Sequence, residues 1–288
     1  MAILFRCREV TILNVAVTGA GGFIGCHLLT ELSVYNALNI TAIVRPGTQL
    51  VDKKYAQKWV FMDISQPPEN AYEVMGKPDV LIHLPWQGLS NYHSHEHFES
   101  ELPMQYNFLK SLVEQGLKNL LVTGTCLEYG MQMGALSSGS ITQPITAYGF
   151  AKDMLRQQLA FLQSQHKFNL TWARLFYLYG DNQADSSLLS QLKKAVQRGE
   201  TKFKMSGGEQ LRDYLPIDKV AHQLVYLAQQ QQNLGVVNVC SGQPVSIRKL
   251  VEKWLKENNW NIELELGYYP YPDYEPLAFW GVPDIKIE

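Results

Sequence analysis

Apolar side chains in this chain follow two rhythms that take turns. Short unbroken runs at Asn14–Thr18, Ile40–Val44, Val60–Met62, Val80–Leu84 and Leu120–Val122 suit strands covered on both faces. Between them apolar residues recur at helical spacing. Phe23, Ile24, Leu28, Leu29 and Leu32 form one such stripe; Leu109, Leu112 and Val113 form another within Leu102–Gln115, which Gly116 closes. This alternation predicts an α/β chain with a doubly wound parallel sheet and crossover helices. Further helices are predicted from Ala147 towards Gln165 and over Ser186–Gly199, Lys219–Gln231 and Ser246–Asn258, with a strand at Val236–Val239.

The first strand and helix are joined by three glycines, Gly19, Gly22 and Gly25. In a strand–turn–helix setting the first permits the tight turn, the second lets backbone N–H groups approach a pyrophosphate, and the third allows close helix–sheet packing. The helix start at Phe23 and Ile24 then presents its positive end to that anion. A bare glycine triplet is a weak signal, but this placement points to a dinucleotide.

Composition narrows the partners. The 288 residues allow about two domains, and 46% hydrophobic content can supply a buried sheet. A net charge of −2 argues against nucleic acid or an anionic membrane surface, and no apolar run approaches the ~20 residues of a bilayer span. The opening MAILFRCREV lacks the apolar core of a signal peptide and reads as an extension before the first strand. Cys7, Cys26, Cys126 and Cys240 are scattered, so neither a disulfide framework nor a zinc site is expected; a cytoplasmic, reducing setting fits.

Strand ends carry the next candidates. An acidic residue after the second strand would bind a ribose 2′-hydroxyl; here Arg45 stands instead, suited to a 2′-phosphate and so to NADP, with NAD the alternative. A solvated loop arginine is the bland reading. Asp63, beside Ile64, can reach an adenine amino group or simply end a strand. Leu84 and Trp86 follow the fourth strand, where ligands sit in such sheets. His93, His95 and His97 lack accompanying carboxylates or thiols, so a solvated loop is expected there and no metal.

Thr125 hangs from the carboxyl end of the fifth strand, while Tyr148 and Lys152 lie one helical turn apart. A free phenol titrates near ~10, too high for ready proton exchange. A neighbouring ammonium is expected to lower it. Tyr148 would then protonate a carbonyl oxygen, or deprotonate an alcohol, that Thr125 orients, and Lys152 would reach the nicotinamide ribose.

With these residues together, the chain resembles the extended short-chain dehydrogenase/reductase family in its nucleotide-sugar epimerase/dehydratase branch. The likeness runs through Gly19-x-x-Gly22-x-x-Gly25, His83-Leu84, Thr125 with Tyr129-Gly130, Tyr148-x-x-x-Lys152, Arg174 with Tyr179-Gly180, Arg212-Asp213-Tyr214 and Asn238 to Gly242. The resemblance implies a Rossmann domain over 11–180 and 214–240 and a smaller, discontinuous substrate domain over 181–213 and 241–288. It further implies Arg212 at a substrate phosphate, substrate contacts from Trp86, Thr125 and Tyr177, and a homodimer built on the helices that begin near Leu102 and Tyr148. Three departures matter. Cys126 and Leu127 stand where family dehydratases carry an acidic pair, which removes the acid and base of a 4,6-dehydration. Tyr177 and Glu101 each replace an asparagine of the family pattern.

The tail Tyr268–Trp280, rich in aromatics and prolines, either walls a sugar or base by stacking or closes a small core. The functional expectation is an NADPH-dependent reductase of a nucleotide-linked 4-keto-6-deoxyhexose, serving deoxysugar synthesis. A nucleotide-sugar 4-epimerase with bound NAD is the alternative. A non-catalytic cofactor-binding regulator ranks third, because cofactor binding alone needs no Thr125–Tyr148–Lys152 geometry.

Overall fold

Six of the expected strands and a seventh not read from the sequence, Asn169–Leu175, line up as one parallel sheet in a computed structural model, which describes residues 12–49 and 53–285. The strands are β1 (Leu13–Thr18), β2 (Leu38–Val44), β3 (Lys58–Phe61), β4 (Val80–His83), β5 (Asn119–Thr125), β6 (Asn169–Leu175) and β7 (Gly235–Val239). Their order is β7-β6-β5-β4-β1-β2-β3, all neighbours parallel. The expected doubly wound sheet is therefore present. The opening MAILFRCREV, with Cys7, lies outside the described residues.

Two apolar layers sandwich the sheet. On one face Val15, Val17, Ile40 and Ile82 pack with Leu28 and Leu32 of α1 (Phe23–Leu32) and with Val220 and Leu224 of a helix over Ile217–Gln230. On the other, Ala16, Leu81, Leu120 and Trp172 meet Leu109 and Leu112 of α2 (Leu102–Glu114) and Leu155 and Leu159 of α3 (Ala147–Gln163). Alternate residues of one strand serve opposite layers, which is why the strands read as unbroken apolar runs.

Strand ends differ from the expectation where tertiary pairing extends them. β3 runs two residues earlier than Val60 and stops at Phe61, because an edge strand needs only Val60 pointing inward while Lys58 and Phe61 stay exposed. β5 continues through Thr125, paired with Leu175 of β6.

A smaller body stands over the carboxyl ends of the strands. Leu189 and Leu192 of α4 (Leu188–Gln197), Phe203, Met205 and the face Leu250, Val251 and Trp254 of the helix Ile247–Glu257 form its own apolar cluster. The tail serves two purposes. Phe279 is buried with Cys126, Tyr129, Leu136, Phe176 and Cys240, whereas Tyr268, Tyr269 and Tyr271 are exposed. Among the described residues no helix is long and apolar enough to cross a membrane.

Candidate active site

The sheet reverses direction between β1 and β4, and a crevice opens where the connections after these two strands part. A single cavity of about 770 Å³ starts there and runs to the smaller body. Its near end is the glycine turn. Gly19 has φ +73°, a left-handed conformation that glycine adopts without strain. A Cβ on Gly25 would sit 2.3 Å from the Gly19 carbonyl oxygen, so the helix can approach the turn only without one. Gly22 caps α1 with no side-chain hydrogen bond, and no carboxylate stands in the first turn. The orphan N–H groups of Phe23 and Ile24 thus border the cavity with nothing anionic beside them, which fits a diphosphate.

Below the turn the crevice floor is polar. Thr18 Oγ1 lies 2.8 Å from Nδ1 of His83, whose Nε2–H faces Gln105 Oε1. Burial pushes His83 down to about 3, so the ring is uncharged. Gln105 passes the chain on, donating to Glu101 Oε1 at 2.7 Å, and Glu101 also accepts the Gln87 N–H at 3.0 Å.

Arg45, Asp63, Ile64 and Leu84 all line the same end. Arg45 is exposed at the mouth, 3.5 Å from Gln87 Oε1. Asp63 Oδ1 accepts the N–H and hydroxyl of Ser65, which, with help from Arg45, hold its carboxyl below the usual range.

At the middle of the cavity stand Thr125 and Tyr148, both lining it. Thr146 caps α3 and the Tyr92 carbonyl accepts the Tyr148 N–H at 3.0 Å, which pins the helix start. The phenol is packed from three sides. Tyr92 stacks on it with ring centroids 5.3 Å apart, and Trp86 and His97 close in at 6.0 and 5.4 Å. Burial pushes the Tyr148 phenol up, against the expected lowering; Tyr92 and Glu128 add to the rise and the Thr125 hydroxyl opposes it. Lys152 points elsewhere. Its ammonium donates to the Thr123 carbonyl at 2.8 Å and lies 4.2 Å from the centre of the Trp86 ring. Burial brings Lys152 down to about 7, with Glu128 and Glu101 resisting.

The far end departs most from the sequence expectation. Arg212, expected at a substrate phosphate, does not line the cavity and is only 1% exposed. Its Nε and Nη2 donate to Glu275, and Nη1 donates to the carbonyls of Leu211 and Leu277. The guanidinium thus makes four hydrogen bonds within the wall, and Glu275, not Arg212, lines the cavity. Tyr177 does line it, yet its hydroxyl is taken by the other Glu275 oxygen. The solvated-loop expectation fails for His97. It is buried, accepts the Trp86 indole N–H at 3.0 Å and donates to the Asn91 carbonyl, while His93 and His95 are exposed.

Sequence reasoning missed Tyr92, Glu128 and the inward face of Glu275. Only Glu128 left a readable mark, the Thr-x-x-Glu spacing of a capping box at Thr125. Cys126 and Leu127 also line the cavity, and burial holds the Cys126 thiol protonated.

A model of the NAD-dependent epimerase/dehydratase family matches residues 15–240. The chain belongs to that family. It is an enzyme of the extended short-chain dehydrogenase/reductase type, as its sequence resemblance implied. Among its curated family relatives is the dTDP-6-deoxy-L-talose 4-dehydrogenase (NAD(+)) of Aggregatibacter actinomycetemcomitans. That enzyme is 30% identical over 271 residues, 93% of this chain and 99% of the relative. Solved family folds superpose closely. The UDP-glucose 4-epimerase of Thermotoga maritima with UDP-glucose gives a TM-score of 0.80 at 20% identity, over 93% of this chain and 90% of that one. The UDP-glucuronic acid 4-epimerase of Bacillus cereus, with UDP-glucuronic acid and NAD, gives 0.79 at 20%, over 94% and 90%.

Proposed function

We propose that this enzyme interconverts a nucleoside-diphosphate 4-keto-6-deoxyhexose and its 4-hydroxy form, acting chiefly as the ketoreductase. The observation that carries this reading is one cavity walled by both the glycine turn and the Thr125–Tyr148 hydroxyl pair. A nicotinamide dinucleotide, when bound, supplies the hydride chemistry. The turn at Gly19, Gly22 and Gly25 with Phe23 and Ile24 would hold its diphosphate, and Asp63, Ile64 and Leu84 its adenosine side. Arg45 favours a 2′-phosphate and so NADP; the talose dehydrogenase relative is named for NAD(+).

Tyr148 is the proton donor to the sugar C4 oxygen. Burial keeps the phenol protonated, which suits it to protonate a carbonyl. Thr125 orients that oxygen. Lys152 is buried behind the wall rather than lining the cavity; it fixes the β5 end through the Thr123 carbonyl and would meet a ribose hydroxyl only by turning from it. At Cys126 and Leu127 the wall offers a protonated thiol and an apolar side chain, which cannot expel a C6 hydroxyl and accommodate a methyl group. Trp86 and Tyr177 border the sugar end. The homodimer expected from the resemblance would use the outer faces of α2 and α3, where Phe161 is 75% exposed.

The test is direct. Purified protein is mixed with NADPH or NADH and a nucleoside-diphosphate 4-keto-6-deoxyhexose, and the near-ultraviolet absorbance of the reduced cofactor is followed. Consumption matched by a 4-hydroxy product supports the reading. Cofactor retained through purification, with sugar isomerisation and no net consumption, would favour a 4-epimerase instead.

A further inference from the structure

Glu128 lies directly under the site but outside the cavity lining, and no step above uses it. It belongs to the tight turn Cys126–Tyr129 after β5 and is fully buried. Its Oε1 accepts the Thr125 backbone N–H at 2.8 Å and the Trp172 indole N–H at 3.0 Å. Its Oε2 accepts Arg174 Nε–H at 2.7 Å and shares the indole at 3.1 Å. Space for this is cleared by Gly124, opposite Arg174 in the sheet register. A Cβ there would fall 2.5 Å from Glu128 Oε1 and 2.2 Å from the indole nitrogen.

A buried ion pair contributes little net stability, and this one is incomplete, since Arg174 Nη1 finds no acceptor. An apolar trio at 128, 172 and 174 would pack as well. What it could not do is hold the Thr125 N–H from below while Lys152 holds the Thr123 carbonyl from α3 at 2.8 Å. The three residues that end β5 are thus gripped at both ends by buried charged side chains.

We propose that Glu128 is a positioning residue for the proton transfer: it fixes Thr125 against Tyr148 and places a buried carboxylate beside the Tyr148–Lys152 pair. The proposal rests on the roles given to Thr125 and Tyr148 above. The groups facing Lys152 are Glu128 from the turn, Glu101 from the segment before α2 and the neutral His83 from β4. Those facing Tyr148 are Tyr92, Thr125, Cys126 and Glu128. Because Glu128 raises both Lys152 and Tyr148, removing its charge shifts both titrations towards acid.

Two variants separate the roles. Glu128→Gln keeps an acceptor for the Thr125 N–H and loses the charge. It should move the pH profile of kcat to lower pH by about one unit, with KM for sugar and cofactor unchanged. Glu128→Asp keeps the charge but withdraws the carboxylate by one methylene. It should lower kcat by ~10-fold without moving the profile, the scale of a small misplacement at the reacting centre. If Glu128→Gln does not fold with Arg174 unpaired, Glu128→Gln/Arg174→Met removes the stranded cation and is read the same way. Folded variants that lose only thermal stability, with wild-type kcat and pH profile, overturn the proposal. Tyr148→Phe is run alongside. If it too leaves kcat unchanged, the reading of the site has failed; if it abolishes turnover while the Glu128 variants do nothing, only the Glu128 proposal has.

Discussion

The two ends of the cavity are built in opposite ways. At the dinucleotide end the work is done by backbone: a left-handed Gly19, a Cβ-free contact at Gly25 and a helix start without a side-chain cap, all within one short stretch. At the sugar end it is done by side chains brought together from far along the chain. Tyr177 and Glu275 are 98 residues apart, Arg212 and Glu275 are 63, and Tyr129 and Asn238, which buttress the wall, are 109. A backbone cradle accepts a group common to many ligands. A lattice of distant side chains can be recut for each sugar while the cradle stays as it is; in this one Glu275 pairs with the arginine that the resemblance assigned to a phosphate.

That contrast can be broken at several points. The largest effect should come from the junction of the two ends. Tyr148→Phe should lower kcat by ~100-fold or more, the scale of a lost general acid, with cofactor Kd unchanged in a fluorescence titration. Unchanged turnover would remove Tyr148 from its role. Gly25→Ala, which forces a Cβ against the Gly19 carbonyl, should weaken cofactor binding by ~10-fold or more. Affinity for the sugar nucleotide alone should hardly move; a joint loss of both would mean that the ends are not separable.

Glu275→Gln is the converse cut. It strands the buried Arg212 cation, so the melting temperature should fall, by up to ~3 kcal/mol of stability, and KM for the sugar should rise. Cofactor Kd should stay the same. Arg45→Asp should shift the NADP-to-NAD preference towards NAD by about tenfold, the worth of one charge-assisted contact; an unaltered ratio places the phosphate elsewhere. A separate prediction concerns the crevice floor. His83 is held neutral in the fold, down to about 3 from the ordinary 6.5, so the unfolded chain binds the extra proton between those values. Stability contributed by the neutral ring is therefore present above 6.5 and lost as pH falls towards 3, at up to about 1.4 kcal/mol per pH unit. Urea titrations across that window should show the slope, and His83→Gln should flatten it.

The same contrast explains what the sequence could tell. The glycine spacing, the apolar runs and the helical Tyr148–Lys152 interval are local patterns, and each is found where periodicity placed it. The burial of His97 was not legible, because it comes from a Trp86 indole that reaches it only after the loop folds back. The direction of the Lys152 head was equally hidden. One-turn spacing brings Lys152 near Tyr148, but the Thr123 carbonyl, on another element, draws its hydrogen bond. The Arg212 pairing was hidden for the same kind of reason: its motif is local and its partner in the tail is not.

The central claim is that the cradle and the phenol serve one reaction at one carbon. It is tested most directly by supplying reduced cofactor deuterated at the nicotinamide C4, one stereoisomer at a time, with the nucleotide keto sugar, and analysing the product by mass spectrometry and NMR. The account predicts deuterium at the sugar C4 from one stereoisomer only, and its near-complete loss in Tyr148→Phe. A product without the label at C4 from either stereoisomer, or a label that appears undiminished without the phenol, would contradict it.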